Sequence, residues 1–307
     1  MEKTKIICVV GATASGKSAL GIEIAKALGG EIISADSMQV YKYMPVATAV
    51  VTEEEAQGIP HHLVEYKEPD EVFSVADFVS QARIIIKEIT DRGNVPIIVG
   101  GTGLFVDSLV KNIEFSDVSA DNELRQEYER YSNDELYAML KEADEKAAND
   151  IHPNNRKRVI RALELCSAGI SKTAQNEAST LNESPYEALY IGIGYKDRER
   201  LYERINLRVD IMMKNGLEQE ARRMSSRLGS TSRQAIGHKE LMPYIEGKCS
   251  LEQAVESLKQ ATRRYAKRQL TWFRKNENIN WLYADELSSE SLVEKAVCLS
   301  KDFLKSR

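Results

Sequence analysis

The sequence predicts an α/β fold in which a parallel sheet is flanked by helices and interrupted by a helical insertion domain. Three observations predict it. Short apolar runs alternate with helical patterns in the N-terminal third, which is typical of βαβ units. The first apolar run ends in a glycine-rich loop that leads directly into a helix. Strand signals then fade between residues 113 and 185 and return at Ala188.

The N-terminal elements follow from residue patterns. Residues 5–10 form a short apolar run suited to a strand, and helix signals cover Lys17 to Leu28. A second strand is predicted at residues 31–34. Residues 74–91 begin with a capping serine and place apolar residues at helical spacing. A third strand is predicted at residues 95–99, where it runs into a Gly-Gly-Thr-Gly loop.

The central segment is predicted to be a separate helical domain. It contains amphipathic, charge-rich stretches such as DNELRQEYERY and NNRKRVIRALELC. It ends in a polar run at residues 171–185, for which we expect flexibility. The predicted division is therefore a core formed by residues 1–112 and 186–307, with the insertion at 113–185.

The C-terminal part resumes the sheet pattern and then becomes helical. A strand is predicted at Ala188–Tyr195. Long helices are expected at Arg198–Lys214, at Leu217–Arg227 and from Leu251 to about Arg274. A last short strand at Ile279–Tyr283 is predicted to complete the sheet.

The formal net charge of −5 disfavours a nucleic-acid partner, but the charge is unevenly distributed. Residues 261–275 contain six cations and no acid, and residues 154–161 contain four cations and no acid. Such strips can bind a phosphate backbone on one face of an acidic protein. A solvated helix face is the alternative interpretation of each strip.

The sequence disfavours a membrane protein, a zinc site and a disulfide framework. It has no leader cleavage pattern and no apolar run near the ~18 residues of a membrane span, so a cytoplasmic protein without membrane contact is expected. The four cysteines are far apart, which disfavours a zinc site or a disulfide framework. We predict that all four are buried small hydrophobes: Cys8, Cys166, Cys249 and Cys298.

The glycine-rich loop fits the pattern G-x-x-x-x-G-K-[ST], which defines a P-loop, and predicts a P-loop NTPase-like sheet. Its backbone N–H groups would converge on an anion, helped by the positive end of the following helix. Lys17 would reach terminal phosphate oxygens, and the Ser18 hydroxyl would bind Mg²⁺. The motif predicts a polyphosphate ligand without saying which one. The loop comprises Gly11, Ala12, Thr13, Ala14, Ser15, Gly16, Lys17 and Ser18.

Two further features follow predicted strands. Asp36 lies at the end of the second strand, where a carboxylate can accept a proton from a hydroxyl or an exocyclic amine. A turn aspartate that caps the next segment is the alternative. The loop Gly100–Gly103 permits close backbone approach and offers the Thr102 hydroxyl. A plain glycine turn is the alternative there.

The sequence contains the following motifs in order: GATASGKS, DSMQVY, GIPHHL, FSVADF, IIVGGTG, RKRVIRALEL, LYERINLRVDIMMKNGL, SRQAIGHKEL and RRYAKRQLTWFRK. It resembles the tRNA dimethylallyltransferases (isopentenyl-diphosphate:tRNA transferases) across about residues 4–283. The resemblance implies transfer of a dimethylallyl group from dimethylallyl diphosphate to N6 of the adenine 3′ of the anticodon, with Mg²⁺. It also implies that the insertion grips the anticodon arm; we expect a monomer.

The resemblance also implies residue roles. The P-loop would hold the diphosphate, a role often described as nucleotide or ATP binding, and Arg208 would reach the same group. Asp36 would be the base, and His61 and His62 would serve packing and hydrogen bonding rather than metal or acid–base chemistry. The catalytic candidates are Lys17, Asp36, Thr102 and Arg125. The candidate tRNA contacts are Asp36, Ser37, Met38, Gln39, Thr102, Arg125, Lys157, Arg158, Arg161, Arg233, Gln234, His238, Lys267, Arg268 and Arg274.

The sequence departs from the family pattern at four positions. Ala47 replaces a usual glycine, Val50 a usual lysine, and Phe105 and His238 frequent tyrosines. The loss of the lysine removes a cation from the rim of the site. The P-loop, Asp36 and Thr102 are intact, which predicts an active enzyme.

Two other functional classes are weighed from the residues. A small-molecule kinase would use ATP with the same P-loop and Asp36, but would not need the basic C-terminal helix. A non-enzymatic RNA-binding switch would need the basic strips but not Asp36. Labelled dimethylallyl diphosphate or ATP, with and without tRNA, separates the three.

Overall fold

The computed structural model describes residues 3–115, 121–171, 173 and 183–306. The chain forms two compact units. One consists of Met1–Val110 with Pro185–Arg307, and the other is Lys111–Ser184. The sequence predicts the insertion at residues 113–185.

One parallel sheet organises the first unit. Within the described residues it has six strands in the order β3-β2-β4-β1-β5-β6. The five predicted strands are present; β3 was not predicted because two residues give no periodicity. The strands are β1 (Thr4–Gly11), β2 (Gly30–Ser34), β3 (His61–His62), β4 (Val95–Gly100), β5 (Tyr186–Gly194) and β6 (Ile279–Tyr283).

Helices connect the strands and form the second unit. Those of the chain up to β5 are α1 (Lys17–Leu28), α2 (Pro45–Thr48), α3 (Glu53–Ala56), α4 (Val75–Asp91), α5 (Gly103–Val110), α6 (Asn122–Tyr128), α7 (Asn133–Ala143), α8 (Glu145–Asp150) and α9 (Arg156–Ser167). Those that follow are α10 (Arg198–Lys214), α11 (Leu217–Met224), α12 (His238–Ile245), α13 (Leu251–Phe273) and α14 (Ser289–Lys305), with a 3₁₀ turn at Ser232–Gln234.

The sheet is covered on both faces. Successive residues of β1, from Ile6 to Val10, are fully buried, and side chains alternate between the faces of a strand. Ile7 and Val9 pack with residues of α1 and α14 in one apolar cluster. Burial of both faces explains why this strand reads as a continuous apolar run rather than as an alternating one.

One predicted helix ends earlier in the structure than expected, and several helices were not predicted. The helix expected at Leu217–Arg227 ends at Met224, because the Ser225 hydroxyl donates back to the Arg222 carbonyl and stops the regular ladder. The helix α14 was not predicted. Its signals were present, since the Ser288 side chain caps it and Leu292 lies on its buried face.

The second unit has its own core. Leu136 and Leu140 of α7 pack with Val159 and Ile160 of α9, and all four are buried. Most of the polar run expected to be flexible, residues 171–185, lies outside the described residues.

The cysteine prediction was only partly right. Cys8 is buried, Cys166 and Cys249 are partly buried, and Cys298 is exposed. Cys298 is exposed because it lies two positions after the buried Ala296 and therefore on the outer face of α14. No described helix is long and apolar enough to cross a membrane.

Candidate active site

The carboxyl ends of the parallel strands meet at one edge of the sheet, and this edge carries the site. The P-loop follows β1, Asp36 follows β2 and the Gly100–Gly103 loop follows β4. Register explains the meeting, because Ser34 pairs with Val99 and Val10 pairs with Gly100.

The P-loop has the backbone shape that an anion site needs. Gly11, Ala14 and Gly16 all have positive φ, of 154°, 61° and 99°. A Cβ at Gly11 would lie 2.7 Å from the Ile193 carbonyl oxygen, so glycine is required there on steric grounds as well. Gly16 caps α1 without a side-chain hydrogen bond. The first amides of α1 are therefore presented to the cleft rather than consumed by a capping side chain.

Lys17 points into the same cleft and has an unusual acidity. Its Nζ donates to the Ala12 carbonyl oxygen over 3.1 Å. Desolvation, followed by the nearby Arg208 charge, lowers the pKa of Lys17 to about 8, although Asp36 opposes the shift. A group with this pKa gains a strong preference for its charged form when an anion binds beside it.

Asp36 lines two cavities of the cleft and also forms part of a turn. Its Oδ1 accepts a hydrogen bond from the Met38 N–H at 2.9 Å, so the turn role weighed from the sequence is real. Asp36 also lines a cavity of about 60 Å³ together with Lys17 and Ser18. It lines a second cavity of about 440 Å³ as well. The carboxylate thus serves the turn through one oxygen and faces the cleft.

The larger cavity combines apolar walls with cations. Met212, Ile236 and Leu258 contribute apolar surface, and Arg264 and Arg268 of α13 contribute charge. Such a mixture suits a ligand with an apolar part and an anionic part.

Arg208 borders both cavities. Burial lowers the pKa of Arg208, whereas Asp36 and Glu55 raise it. An arginine remains charged under these conditions. It therefore adds a second cation to the cleft beside Lys17.

Thr102 connects the Gly100–Gly103 loop to the segment around Asp36. Its Oγ1 accepts from the Ser37 N–H at 3.2 Å, and its own N–H donates to the Ala35 carbonyl oxygen at 3.2 Å. The Tyr265 hydroxyl lies close to the Thr102 side chain. Burial, followed by the Asp36 charge, raises the pKa of Tyr265, which keeps that hydroxyl protonated.

The glycines of the Gly100–Gly103 loop are explained by protein packing. A Cβ at Gly101 would lie 2.1 Å from Gln269 Nε2, and one at Gly103 would lie 2.3 Å from Trp272 Cδ1. The sequence interpretation expected close approach at this loop. The structure shows that the approaching group is α13.

The cationic face predicted for α13 is confirmed. Arg264, Lys267, Arg268 and Thr271 follow 3–4 spacing along α13 and line one surface groove. Arg274 faces a different cleft, which Tyr202 also lines.

The segment after Asp36 has mixed roles. Ser37 and Met38 line the larger cavity. Both ends of the Gln39 amide are used internally: Oε1 accepts from the Ser34 hydroxyl at 2.7 Å, and Nε2 donates to the carbonyl oxygens of Thr48 and Ala49 at 3.2 Å. Gln39 therefore braces the loop around α2, and its predicted RNA contact stays a prediction.

The two residues of the 3₁₀ turn that were predicted to contact tRNA have different surroundings in the structure. Gln234 is exposed and lines the larger cavity. Arg233 is exposed but donates through Nη2 to the Leu228 carbonyl oxygen at 3.2 Å. Both roles in RNA binding stay predictions.

His238 was predicted to contact tRNA, but in this structure it is fully buried. Its Nε2 donates to Glu220 Oε1 at 2.9 Å, and the same carboxylate accepts the N–H groups of Val46 and Ala47. A Cβ at Gly237 would meet the Ala47 Cβ at 3.4 Å. Two departures from the family pattern, Ala47 and His238, thus meet in one network that holds α2.

The paired histidines make the internal hydrogen bonds that were expected, and His61 also lines the small cavity beside Lys17 and Ser18. His61 Nδ1 donates to the Ile59 carbonyl oxygen at 2.8 Å, and His62 Nε2 bonds Glu31 Oε2 at 2.7 Å. The described residues contain no cluster of three or more histidine, cysteine or acidic side chains suited to a metal.

In the second unit, some candidate residues form ion pairs within the protein and others are exposed to solvent. Arg125 forms a two-point ion pair with the buried Glu164, with distances of 2.7 and 3.0 Å, and Arg161 bonds the same carboxylate at 3.3 Å. Lys157 and Arg158 are exposed. The catalytic role of Arg125 stays a prediction; its guanidinium anchors α6 to α9.

Sequence reasoning missed two residues that contact the P-loop. Gln269 Oε1 accepts the Thr13 N–H at 2.8 Å, and Arg204 Nε donates to the Ala14 carbonyl oxygen at 3.2 Å. A signal for Gln269 was available. It follows Thr262 and Ala266 at 3–4 spacing on the buried face of α13, where an uncharged polar side chain needs a partner.

Comparisons with known proteins agree with one another. A family model described as IPP transferase matches residues 39–276. A tRNA dimethylallyltransferase of Caldanaerobacter subterraneus subsp. tengcongensis is 47% identical over 292 residues, covering 92% of each chain. One of Acetivibrio thermocellus is 48% identical over 298 residues, covering 94% of this chain and 95% of its own.

Solved structures give the same picture. The tRNA delta(2)-isopentenylpyrophosphate transferase of Staphylococcus epidermidis is 42% identical with a TM-score of 0.72, covering 98% of this chain and 99% of its own. A eukaryotic dimethylallyltransferase acting on tRNA is 29% identical with a TM-score of 0.83, covering 99% of this chain and 80% of its own.

Proposed function

The chain belongs to the IPP transferase family, and from that premise we propose that it transfers a dimethylallyl group from dimethylallyl diphosphate to tRNA. The acceptor is N6 of the adenine 3′ of the anticodon, and diphosphate is released. One observation carries the proposal. The P-loop lysine, Asp36 and Arg208 border one cleft, which continues to the cations of α13.

The P-loop end of the cleft suits the departing diphosphate. Breaking the allylic C–O bond places negative charge on the diphosphate, so donors aimed there lower the barrier. Lys17, Arg208 and the amides at the start of α1 supply such donors. The low pKa of Lys17 does not weaken this role, because a bound diphosphate favours the ammonium form.

The residues also fit a magnesium ion. The Ser18 hydroxyl oxygen lines the small cavity that Lys17 also borders, and oxygen ligands are those that Mg²⁺ prefers. We propose that Ser18 holds the ion. When bound, Mg²⁺ neutralises diphosphate charge.

Asp36 is the proposed proton acceptor. The N6 lone pair forms the new C–N bond while the C–O bond breaks and its electron pair leaves with the diphosphate. The surplus amine proton then passes to the Asp36 carboxylate. Thr102, which fixes the Ser37 N–H, keeps this segment in place.

The proposed RNA partner is the anticodon stem-loop. The target base must leave its stack, which costs a few kcal/mol. Phosphate contacts from Lys267 and Arg268 offset that cost. We propose that Lys157 and Arg158 of the second unit also contact the anticodon arm, and that the enzyme acts as a monomer.

Transfer of labelled groups tests the function. The protein is incubated with labelled dimethylallyl diphosphate or γ-labelled ATP, with and without tRNA, and label is followed into RNA. Asp36→Asn should lower turnover ~10²-fold or more while tRNA affinity stays nearly unchanged. Asp302→Asn, at an exposed carboxylate of α14, is the matched control and should be unaffected.

Three outcomes would count against the proposal. Phosphate transfer from ATP to a small molecule would favour the kinase class. RNA binding without any transfer would favour the switch. Wild-type turnover in Asp36→Asn would remove the base assignment.

A further inference from the structure

A buried amide on α13 joins the two loops of the site. Gln269 is 5% exposed, whereas the preceding Lys267 and Arg268 are exposed on the other face of the helix. Gln269 contains no charge and lies in a strip otherwise rich in cations. The mechanism described above does not use it.

Both ends of this amide are engaged by backbone groups. The Gln269 Oε1 accepts the Thr13 N–H at 2.8 Å, and Nε2 donates to the Gly101 carbonyl oxygen at 3.0 Å. Thr13 belongs to the P-loop, and Gly101 immediately precedes Thr102. One side chain therefore spans the gap between the diphosphate end and the adenine end of the proposed site.

Glutamine is the side chain that these two contacts require. One partner is a donor and the other an acceptor, and an amide offers one group of each kind. A carboxylate would accept from Thr13 but could not donate to Gly101. A methionine of similar length would satisfy neither.

The space for the contact is provided by Gly101. A Cβ there would lie 2.1 Å from Gln269 Nε2, so any larger residue displaces the amide. Gly101 does not have a positive φ, and alanine is therefore compatible with its backbone. The contact between residues 101 and 269 can therefore be disturbed by substituting either residue.

The geometry fixes the orientation of the P-loop. Thr13 precedes Ala14, whose φ of 61° turns the following amides toward the cleft. The hydrogen bond from the Thr13 N–H to Gln269 fixes the orientation of the peptide between Ala12 and Thr13 before any ligand binds. Preorganised donors bind an anion more tightly than donors that must first be ordered.

We propose that Gln269 is a positioning residue for the transfer reaction, holding the P-loop and the Gly100–Gly103 loop at a fixed separation so that diphosphate binds to preordered amides. This inference rests on the proposed function for its effect on turnover. Its effect on anion binding is independent of that function.

The principal variants are Gln269→Met, which keeps length but removes both hydrogen bonds, and Gln269→Asn, which keeps the amide but shortens its reach. Inorganic pyrophosphate with Mg²⁺ is titrated calorimetrically in the absence of tRNA. Both variants should bind it about tenfold more weakly than the wild type, as expected for the loss of buried hydrogen bonds. The KM for dimethylallyl diphosphate should rise similarly, and the KM for tRNA should change less than about threefold.

A double-variant cycle separates positioning from general stability. Gly101→Ala should weaken pyrophosphate binding because it displaces the amide. Combined with Gln269→Met, it should cost less than the sum of the two single changes, since both remove one contact. Ser300→Ala is the matched control: Ser300 is buried and bonds within α14, so it should lower Tm without changing pyrophosphate affinity.

Two results would overturn the inference. One is a lower Tm in Gln269→Met and Gln269→Asn with pyrophosphate affinity within about twofold of wild type. The other is strict additivity of the effects that Gly101→Ala and Gln269→Met have on the free energy of pyrophosphate binding. If the Gln269 variants bind pyrophosphate more weakly as expected but the wild type transfers no prenyl group to tRNA, this inference stands and the proposed function is rejected.

Discussion

The acidity of Lys17 makes diphosphate binding depend on pH within an accessible range. Lys17 has a pKa of about 8 in the free protein, because desolvation and then the Arg208 charge disfavour its ammonium form. The proposed binding of diphosphate requires that form. Binding is therefore coupled to proton uptake, and affinity must fall as pH rises above about 8.

The magnitude follows from the pKa. At pH 7 about nine-tenths of Lys17 is protonated, and at pH 9 about one-tenth is. If the bound state keeps Lys17 charged across this range, affinity for diphosphate drops about tenfold between the two values, or ~1.4 kcal/mol. An ordinary surface lysine, with a pKa near 10.4, would give almost no change.

Calorimetric titration of pyrophosphate at pH 7, 8 and 9 measures the effect. Lys17→Arg is the control. Because arginine stays charged, the change of its pyrophosphate affinity with pH reports the titration of pyrophosphate itself. The ratio of the two affinities should fall about tenfold. A ratio that stays constant from pH 7 to 9 would refute the reasoning, as would proton release instead of uptake.

Three further outcomes follow from the same structure. Because the folded pKa of Lys17 lies below its unfolded value, stability should rise with pH between about 8 and 10.5, and Lys17→Met should raise Tm at pH 7 while abolishing diphosphate binding. Replacing Lys267 and Arg268 by alanine should raise the tRNA KM and reduce the slope of log affinity against log salt by roughly one unit per lost contact, whereas an unchanged slope would remove α13 from the interface. Burial would raise the pKa of Glu31, but hydrogen bonds led by Arg92 lower it to about 2. Its stabilisation should be present above pH 4.5 and lost as pH falls toward 2, and urea titrations of Glu31→Gln should show a shallower loss over that window.

Local signals predicted the elements that position the site. The P-loop motif gave the start of α1 at Lys17, and the serine cap gave the start of α4 at Val75, both as observed. These signals depend on neighbouring residues, so a single sequence contains them. β3 was missed because two residues at a sheet edge give no period.

Contacts between distant residues limited the prediction of the site. Asp36 and Arg208 were identified from motifs and border the same cleft. His238 was expected at a surface, but its partner Glu220 lies on another helix and takes it into the core. Gln269 was missed for a similar reason: its partners are 256 and 168 residues away along the chain.

The place of the insertion has a consequence for the nascent chain on the ribosome. β1 is the central strand, and its neighbours are β4, which ends at Gly100, and β5, which ends at Gly194. Synthesis at ~5–20 residues per second takes about 5 to 20 s to pass from one to the other. During that interval one edge of β1, which is apolar from Ile6 to Val10, has no β5 to pair with, and such edges template association between chains. The core cluster around Leu136 can form meanwhile from local contacts, so completion of the sheet, rather than of the insertion, is expected to be the aggregation-sensitive stage of biosynthesis.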